Sequence, residues 1–507
     1  MSSSTSSNDA ANVDAEDTSI SMPSDLECQL LEDSDPSDSE GVAVGAENYI
    51  AKHDILTAPL MTREAYLSIT RDGSPAQYGV LGKVLASYSR GSKDLVDDQR
   101  LYLNTNAPFS ALICGVQGSG KSHTVSTILE NMLIPNFLPI GSSSKALSGL
   151  VLHYGDGGVN SLPSEAAWLS TSLSSHVTGV PVKVYVSRAS FQTMTAVYSR
   201  FGTKVTVKPL YFQNSELDAA AILSMMAVGS TESAPLYMQI ILSILRDLGE
   251  NFTFTDFMKR LDSSKQKFNP AQLAGLEQRL MLLTAFLEPA PAAQGKKTIK
   301  QGSRFSGGHL TIIDLSDPFL DAASACGLFE IIVRLFIRAD VGTGKVLVVD
   351  EAHKYLLSDR SSTGLTKSLL NLIRQQRHLA MRVIISTQEP TVVPPVLLDL
   401  CSVTIIHRFS SPTWWQHLIQ HVPTDFSDTD AFDKVVKLQT GHAIILAPSG
   451  LMLLRESGNG QKLAEGSDGK QSTKVLTRFG RRYLIVKTRK RVTADGGASI
   501  LVLHESE

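Results

Sequence analysis

Gly115-Val116-Gln117-Gly118-Ser119-Gly120-Lys121-Ser122 holds the densest concentration of chemically useful residues in this 507-residue chain. Glycines at three of the positions let successive backbone N–H groups turn toward one anion, and a helix starting near Lys121 would add its partial positive charge. Lys121 would reach the β- and γ-phosphates of a nucleoside triphosphate, and the Ser122 hydroxyl would ligate Mg2+. A glycine-rich turn arising by chance would not need the apolar strand Phe109–Cys114 before it or the helical pattern through Met132 after it. The expectation is a phosphate-binding loop in its required strand–loop–helix setting.

More than two hundred residues downstream, the apolar run Val346-Leu-Val-Val ends in Asp350-Glu351. One carboxylate there suits Mg2+ held through water, at Asp350, and the second suits a general base that polarises the attacking water, at Glu351. Two acids at a strand end could also serve only as a helix N-cap, but the upstream phosphate loop favours the catalytic reading. The letters Asp350-Glu-Ala-His353 resemble a helicase motif, yet no room remains after residue 450 for the second RecA-like domain such helicases need. No N/T-K-x-D base-reading motif follows the loop either, so ATP is expected rather than GTP. A further strand, Arg382–Ser386, leads to Thr387-Gln388, placing Gln388 where it can sense the γ-phosphate; a simple turn amide is the alternative. The helix expected over Leu365–Ala380 leaves Arg374, Gln375 and Arg377 exposed, and an arginine there is either solvated or reaches the ATP of a neighbouring subunit.

Positioning these groups takes an α/β fold. Short apolar runs alternate with helical stretches, the signature of an α/β domain with a mainly parallel central sheet covered by helices; with the phosphate-binding loop, the expected fold is a RecA-like P-loop NTPase core. Strands are expected at Phe109–Cys114, Leu150–Tyr154, Val182–Ser187, Val205–Phe212, Leu310–Asp314, Val346–Asp350, Arg382–Ser386, Val403–His407 and Ala443–Ala447. Apolar residues recur at spacings of three and four in Leu217–Ala227, Leu236–Leu248 and Gln272–Leu287, predicting a helical insertion at about 215–305. The expected organisation is a disordered acidic tail at 1–45, a lead-in at 46–106, the ATPase core at 107–450 and a basic, strand-rich extension at 451–507.

The loop, the strand into DEAHKYL, the RQQRHLAMRVIISTQEP segment, VTIIHRF and the late GHAIILAP strand together resemble the HerA–FtsK family over about Phe109–Gly450. That resemblance implies an additional-strand, catalytic-glutamate ATPase forming a ring, usually a hexamer, that pumps DNA; some relatives move protein. It implies ATP and Mg2+ at Gly115–Ser122, metal organisation by Asp350, water activation by Glu351, sensing by Gln388 and an intersubunit arginine at Arg374, Arg377 or Arg408. The N-terminal barrel typical of HerA is not evident, and the insertion departs from the compact bacterial motor core.

Composition bounds the rest. Residues 1–50 carry twelve acids and no Lys or Arg, leaving 38 of the 50 acids against all 47 bases, so the body is about +9 and could suit DNA. The tail, with Ser34, Ser37 and Ser39 among acids, could engage protein partners or be a solvated linker. Absence of a signal-like start or an 18-residue apolar run predicts a soluble, intracellular protein without membrane insertion. Four scattered cysteines predict reduced thiols. The cluster Arg478, Arg481, Arg482, Lys487, Arg489, Lys490 and Arg491 reads either as a phosphate-contacting strand or import signal, or as a charged edge strand. Trp414-Trp415 reads as core packing ahead of base stacking. Two functions remain open: a nucleic-acid translocase, and a nucleotide-dependent switch or scaffold acting on protein partners.

Overall fold

The computed structural model describes residues 50–69, 77–89, 92–94, 96–227, 236–288, 303–356, 364–423, 428–455 and 474–497. The acidic tail lies outside these residues, as do residues 289–302 of the expected helical insertion and residues 456–473. No described helix is long and apolar enough to cross a membrane.

The strands are β1 (Leu60–Thr62), β2 (Tyr78–Ser89), β3 (Ser92–Asp94), β4 (Arg100–Asn104), β5 (Ser110–Cys114), β6 (Gly141–Ser142), β7 (Ser148–His153), β8 (Val182–Val186) and β9 (Val205–Pro209). They continue with β10 (Leu310–Asp314), β11 (Lys345–Val349), β12 (Met381–Thr387), β13 (Val403–Ile406), β14 (His442–Leu446), β15 (Leu451–Arg455), β16 (Lys474–Arg478) and β17 (Tyr483–Thr488). Strands β9-β8-β10-β7-β11-β12-β5-β13 lie side by side and all parallel. One strand, β12, therefore separates the strand before the glycine loop (β5) from the strand before Asp350 (β11), the additional-strand arrangement.

Both faces of this parallel block are buried, as its unbroken apolar runs require. Leu112, Leu152, Ile313, Leu347 and Ile385 point to one face, where the helices Ala219–Ala227, Leu236–Leu248, Pro270–Ala285 and Ala322–Arg338 pack. Ala111, Ile113, Val151, Val348 and Ile384 point to the other, against Val125, Ile128, Leu129 and Met132 of the helix Lys121–Leu133. Each fully buried Val, Leu or Ile side chain among them contributes about 1.5–3 kcal/mol.

Helix starts follow local chemistry. Asp321 caps Ala322–Arg338 by accepting from Ser324 N at 2.6 Å, and Asn269 caps Pro270–Ala285 in a capping box with Gln272. That box starts the last insertion helix two residues earlier than its apolar spacing suggests. The helix expected to reach Ala380 stops at Gln375, because Ala380 adopts φ 46° and residues 376–380 turn into β12. β9 ends at Pro209 rather than Phe212.

Beyond β13 the sheet turns antiparallel through β14, β17, β2, β4 and β1; β1 then pairs parallel with β15, and β15 antiparallel with β16. The strands of the lead-in thus join the core through β17 near the C-terminus. β17 is held on both sides, by β14 and β2, which corrects the edge-strand reading of the basic segment. Gly82 makes that closeness possible, since a Cβ there would lie 2.3 Å from the Lys487 carbonyl oxygen. Trp415 is buried in the core, with Phe432 beside it.

Candidate nucleotide-binding and hydrolytic site

The loop between β5 and its helix is built from backbone conformations that glycine permits. Gly115, Gly118 and Gly120 have φ of 149°, 72° and 112°. A Cβ on Gly120 would sit 2.9 Å from Gly441 N, so this position is closed to larger residues by contact as well as by torsion. Val116 N donates to the Arg408 carbonyl, Ser119 Oγ donates to the Val116 carbonyl at 2.6 Å, and Gly441 N donates to the Ser119 carbonyl. Gln117 and Gly118 form the exposed tip.

Lys121 is 5% exposed, and its Nζ donates to the Val116 carbonyl at 3.0 Å, inside the curve of the loop. Burial lowers its pKa, opposed by the negative charge of Glu351 and Asp350 nearby. Ser122 and Asp350 line one small cavity together with Ser126, Val348 and Glu165. A hydroxyl and a carboxylate facing one space next to the glycine loop fit Mg2+, a hard cation that takes oxygen ligands.

Asp350 and Glu351 follow β11 directly. Asp350 Oδ2 accepts from His153 Nδ1 at 3.1 Å, His153 being the last residue of the neighbouring β7. Burial opposes the charge on His153, but the bond to Asp350 and the Asp314 carboxylate outweigh it and raise the pKa. Tyr355 donates its phenol to the Asp350 carbonyl at 2.9 Å. Glu351 sits at φ 49°, ψ 44°, one of three non-glycine residues at positive φ among the described residues. Gln388 Nε2 donates to both of its carboxylate oxygens, at 3.1 and 2.9 Å. His353 Nδ1 lies 3.3 Å from Glu351 Oε2, and burial lowers its pKa.

The arginines divide. Arg408 follows β13 and adjoins the glycine loop through its backbone, with an exposed side chain. Arg374, in the last turn of the helix Gly364–Gln375, and Arg377, on the turn that enters β12, are both exposed. β12 is parallel to β5, so they sit at the end of the sheet opposite Lys121, about 20 Å of strand away. Neither can serve the site of its own chain.

Three contributors carry no motif of their own. His407, fully buried, has its pKa pushed down to about 3 by burial. Its Nδ1 donates to the His442 carbonyl at 3.0 Å, so Nε2 accepts from Thr124, which in turn accepts from Thr488. His153 ends a strand whose sequence gives no warning of it. Gly441 opens the GHAIILAP strand, a segment visible in the sequence without an assigned role. The basic segment also turns inward: Arg489 pairs with Glu130 and Arg491 with Glu165, each at 2.7 Å, which removes both from any phosphate-contacting surface.

No family model matches this chain, nor does any curated protein. Among solved structures it is similar to the genome packaging NTPase B204 from Sulfolobus turreted icosahedral virus 2 in complex with AMP, at 12% identity and TM-score 0.28 over 67% of this chain and 91% of that one. It is similar to VirB4 of Thermoanaerobacter pseudethanolicus at 13% identity and TM-score 0.39, over 73% and 94%. The bacterial conjugative coupling protein TrwBΔN70 gives 11% identity and TM-score 0.41, over 90% and 98%. Likenesses this slight carry no argument about what this chain does.

Proposed function

We propose that this chain is an ATP-binding and ATP-hydrolysing P-loop motor, a ring-forming nucleic-acid translocase. The observation that carries the reading is the Glu351 carboxylate, held by the Gln388 amide at the ends of adjacent strands and beside Lys121. A carboxylate so placed accepts a proton from an attacking water, which is what separates hydrolytic sites from phosphotransferases that must exclude water.

In this reading Gly115–Lys121 bind the phosphates and Lys121 exchanges its bond to the Val116 carbonyl for a phosphate oxygen. Ser122 and Asp350 would hold Mg2+, which shields the charge of the phosphates when bound. His153 orients Asp350, Gln388 orients Glu351, and Arg408, Arg374 or Arg377 stabilises the transferring group; the latter two act only across a subunit boundary. A second reading, a nucleotide-dependent switch acting on protein partners, is favoured by the inward turn of Arg489 and Arg491, which leaves fewer bases for a polyanionic track.

Steady-state ATPase assays on wild type and Glu351→Gln, with and without double- and single-stranded DNA, test both. Loss of about 10²–10⁴-fold in kcat is expected for Glu351→Gln, with DNA stimulation of the wild type at low salt. Turnover that depends on Glu351 but ignores DNA would favour the switch, and equal rates would remove the assignment of Glu351.

A further inference from the structure

Glu130 lies on the helix that begins at Lys121, nine residues into it, and is 0% exposed. A buried carboxylate needs several donors, and here all of them come from one short segment near the C-terminus. Oε1 accepts from Val492 N at 3.0 Å, Thr493 N at 2.9 Å and Thr493 Oγ1 at 2.6 Å, while Oε2 accepts from Arg489 Nη1 at 2.7 Å.

The same segment makes further attachments around the site. His123, next to Ser122, contacts the Asp495 carboxylate at 3.1 Å and the Arg489 carbonyl at 2.8 Å. Arg491 reaches Glu165, which lines the cavity shared by Ser122 and Asp350. Leu173 N donates to the Val492 carbonyl and Ala494 N to the Thr171 carbonyl, so the segment is also fastened on its outer side. Gly496 presses so close to Trp168 that a Cβ would fall 1.9 Å from the indole nitrogen.

Resting on the ATPase reading, we propose that Glu130 is a positioning residue and that Arg489–Asp495 is a strap. Through it, the helix carrying Lys121 and Ser122 is held in register with Asp350 and Glu351. Glu130 touches no substrate; it acts by fixing where the helix starts. Misplacement of a catalytic group by about 1 Å can cost on the order of 10²-fold in rate.

The test compares wild type with the double variant Arg489→Met/Thr493→Val and with Glu130→Gln and Glu130→Ala. Readouts are kcat and KM for ATP, the Kd of ATPγS with Mg2+ by calorimetry, and the thermal midpoint. The expected result is a fall in kcat of at least tenfold in the double variant, with the Kd of ATPγS within about threefold. Glu130→Gln, which keeps an oxygen for Thr493, recovers most of the kcat that Glu130→Ala loses. Unchanged kcat and Kd in the double variant, with only the melting temperature lowered, would overturn the proposal and leave the ATPase reading standing. A wild type that binds no ATPγS overturns that reading first, and this inference with it.

Discussion

Glu351, the proposed general base, holds a backbone conformation that a β-carbon disfavours. At φ 49°, ψ 44° a non-glycine residue costs on the order of 1–2 kcal/mol, and such strain tends to persist where geometry matters to function. Asn tolerates this region better than Glu. Glu351→Asn is therefore expected to hold or raise the thermal midpoint while abolishing turnover, measured by calorimetry beside an ATPase assay; a clear loss of stability would show that the bonds from Gln388 outweigh the strain. At this scale the candidate site was largely legible, because the glycine loop, Asp350, Glu351 and Gln388 are contiguous with the apolar strands that announce them. His153, His407 and Glu130 were not: a histidine at a strand end or a glutamate inside a helix looks the same in sequence whether it faces solvent or a buried partner.

Among elements, β13 and β14 meet under the glycine loop, and His407 is the joint between them. It is neutral in the fold, with its pKa pushed down to about 3, whereas the unfolded chain titrates near the ordinary 6.5. The unfolded state thus binds the extra proton between those values, so the contribution of His407 to stability is present above pH 6.5 and is lost as pH falls toward 3. Its slope approaches about 1.4 kcal/mol per pH unit. Denaturant midpoints between pH 7 and 5 should fall more steeply for wild type than for His407→Gln; parallel curves would mean that His407 is protonated in place. The parallel strands were readable from their apolar runs, and their ends missed by one to three residues, β9 stopping three short at Pro209. β1 and β2 were not read as strands of this sheet, because β15 and β17, which join them to the rest of it, lie about 400 residues away along the chain, and β4 pairs with β1 and β2 themselves.

At the scale of the whole molecule, one sheet runs from β9, at the far side of the parallel block, to β16, joining strands of the lead-in to strands of the C-terminal region. Its middle depends on β17, wedged between β14 and β2. A chain ended after Arg455 loses β16 and β17 and exposes the hydrogen-bonding edges of β14, β2 and β15, which invites pairing between molecules. Size-exclusion chromatography of that truncation should show soluble aggregate or no soluble protein; a well-behaved species would mean that the parallel block stands alone. The same arrangement imposes an order on biosynthesis. β2 leaves the ribosome about 400 residues before β17, an interval of roughly 20–80 s at ordinary elongation rates. Throughout that interval β2 lacks its β17 partner, and the helix behind Lys121 lacks the segment that holds Glu130. The two halves of the sheet are thus joined only once β17 has been made, and the fastening of the helix behind Lys121 follows later still.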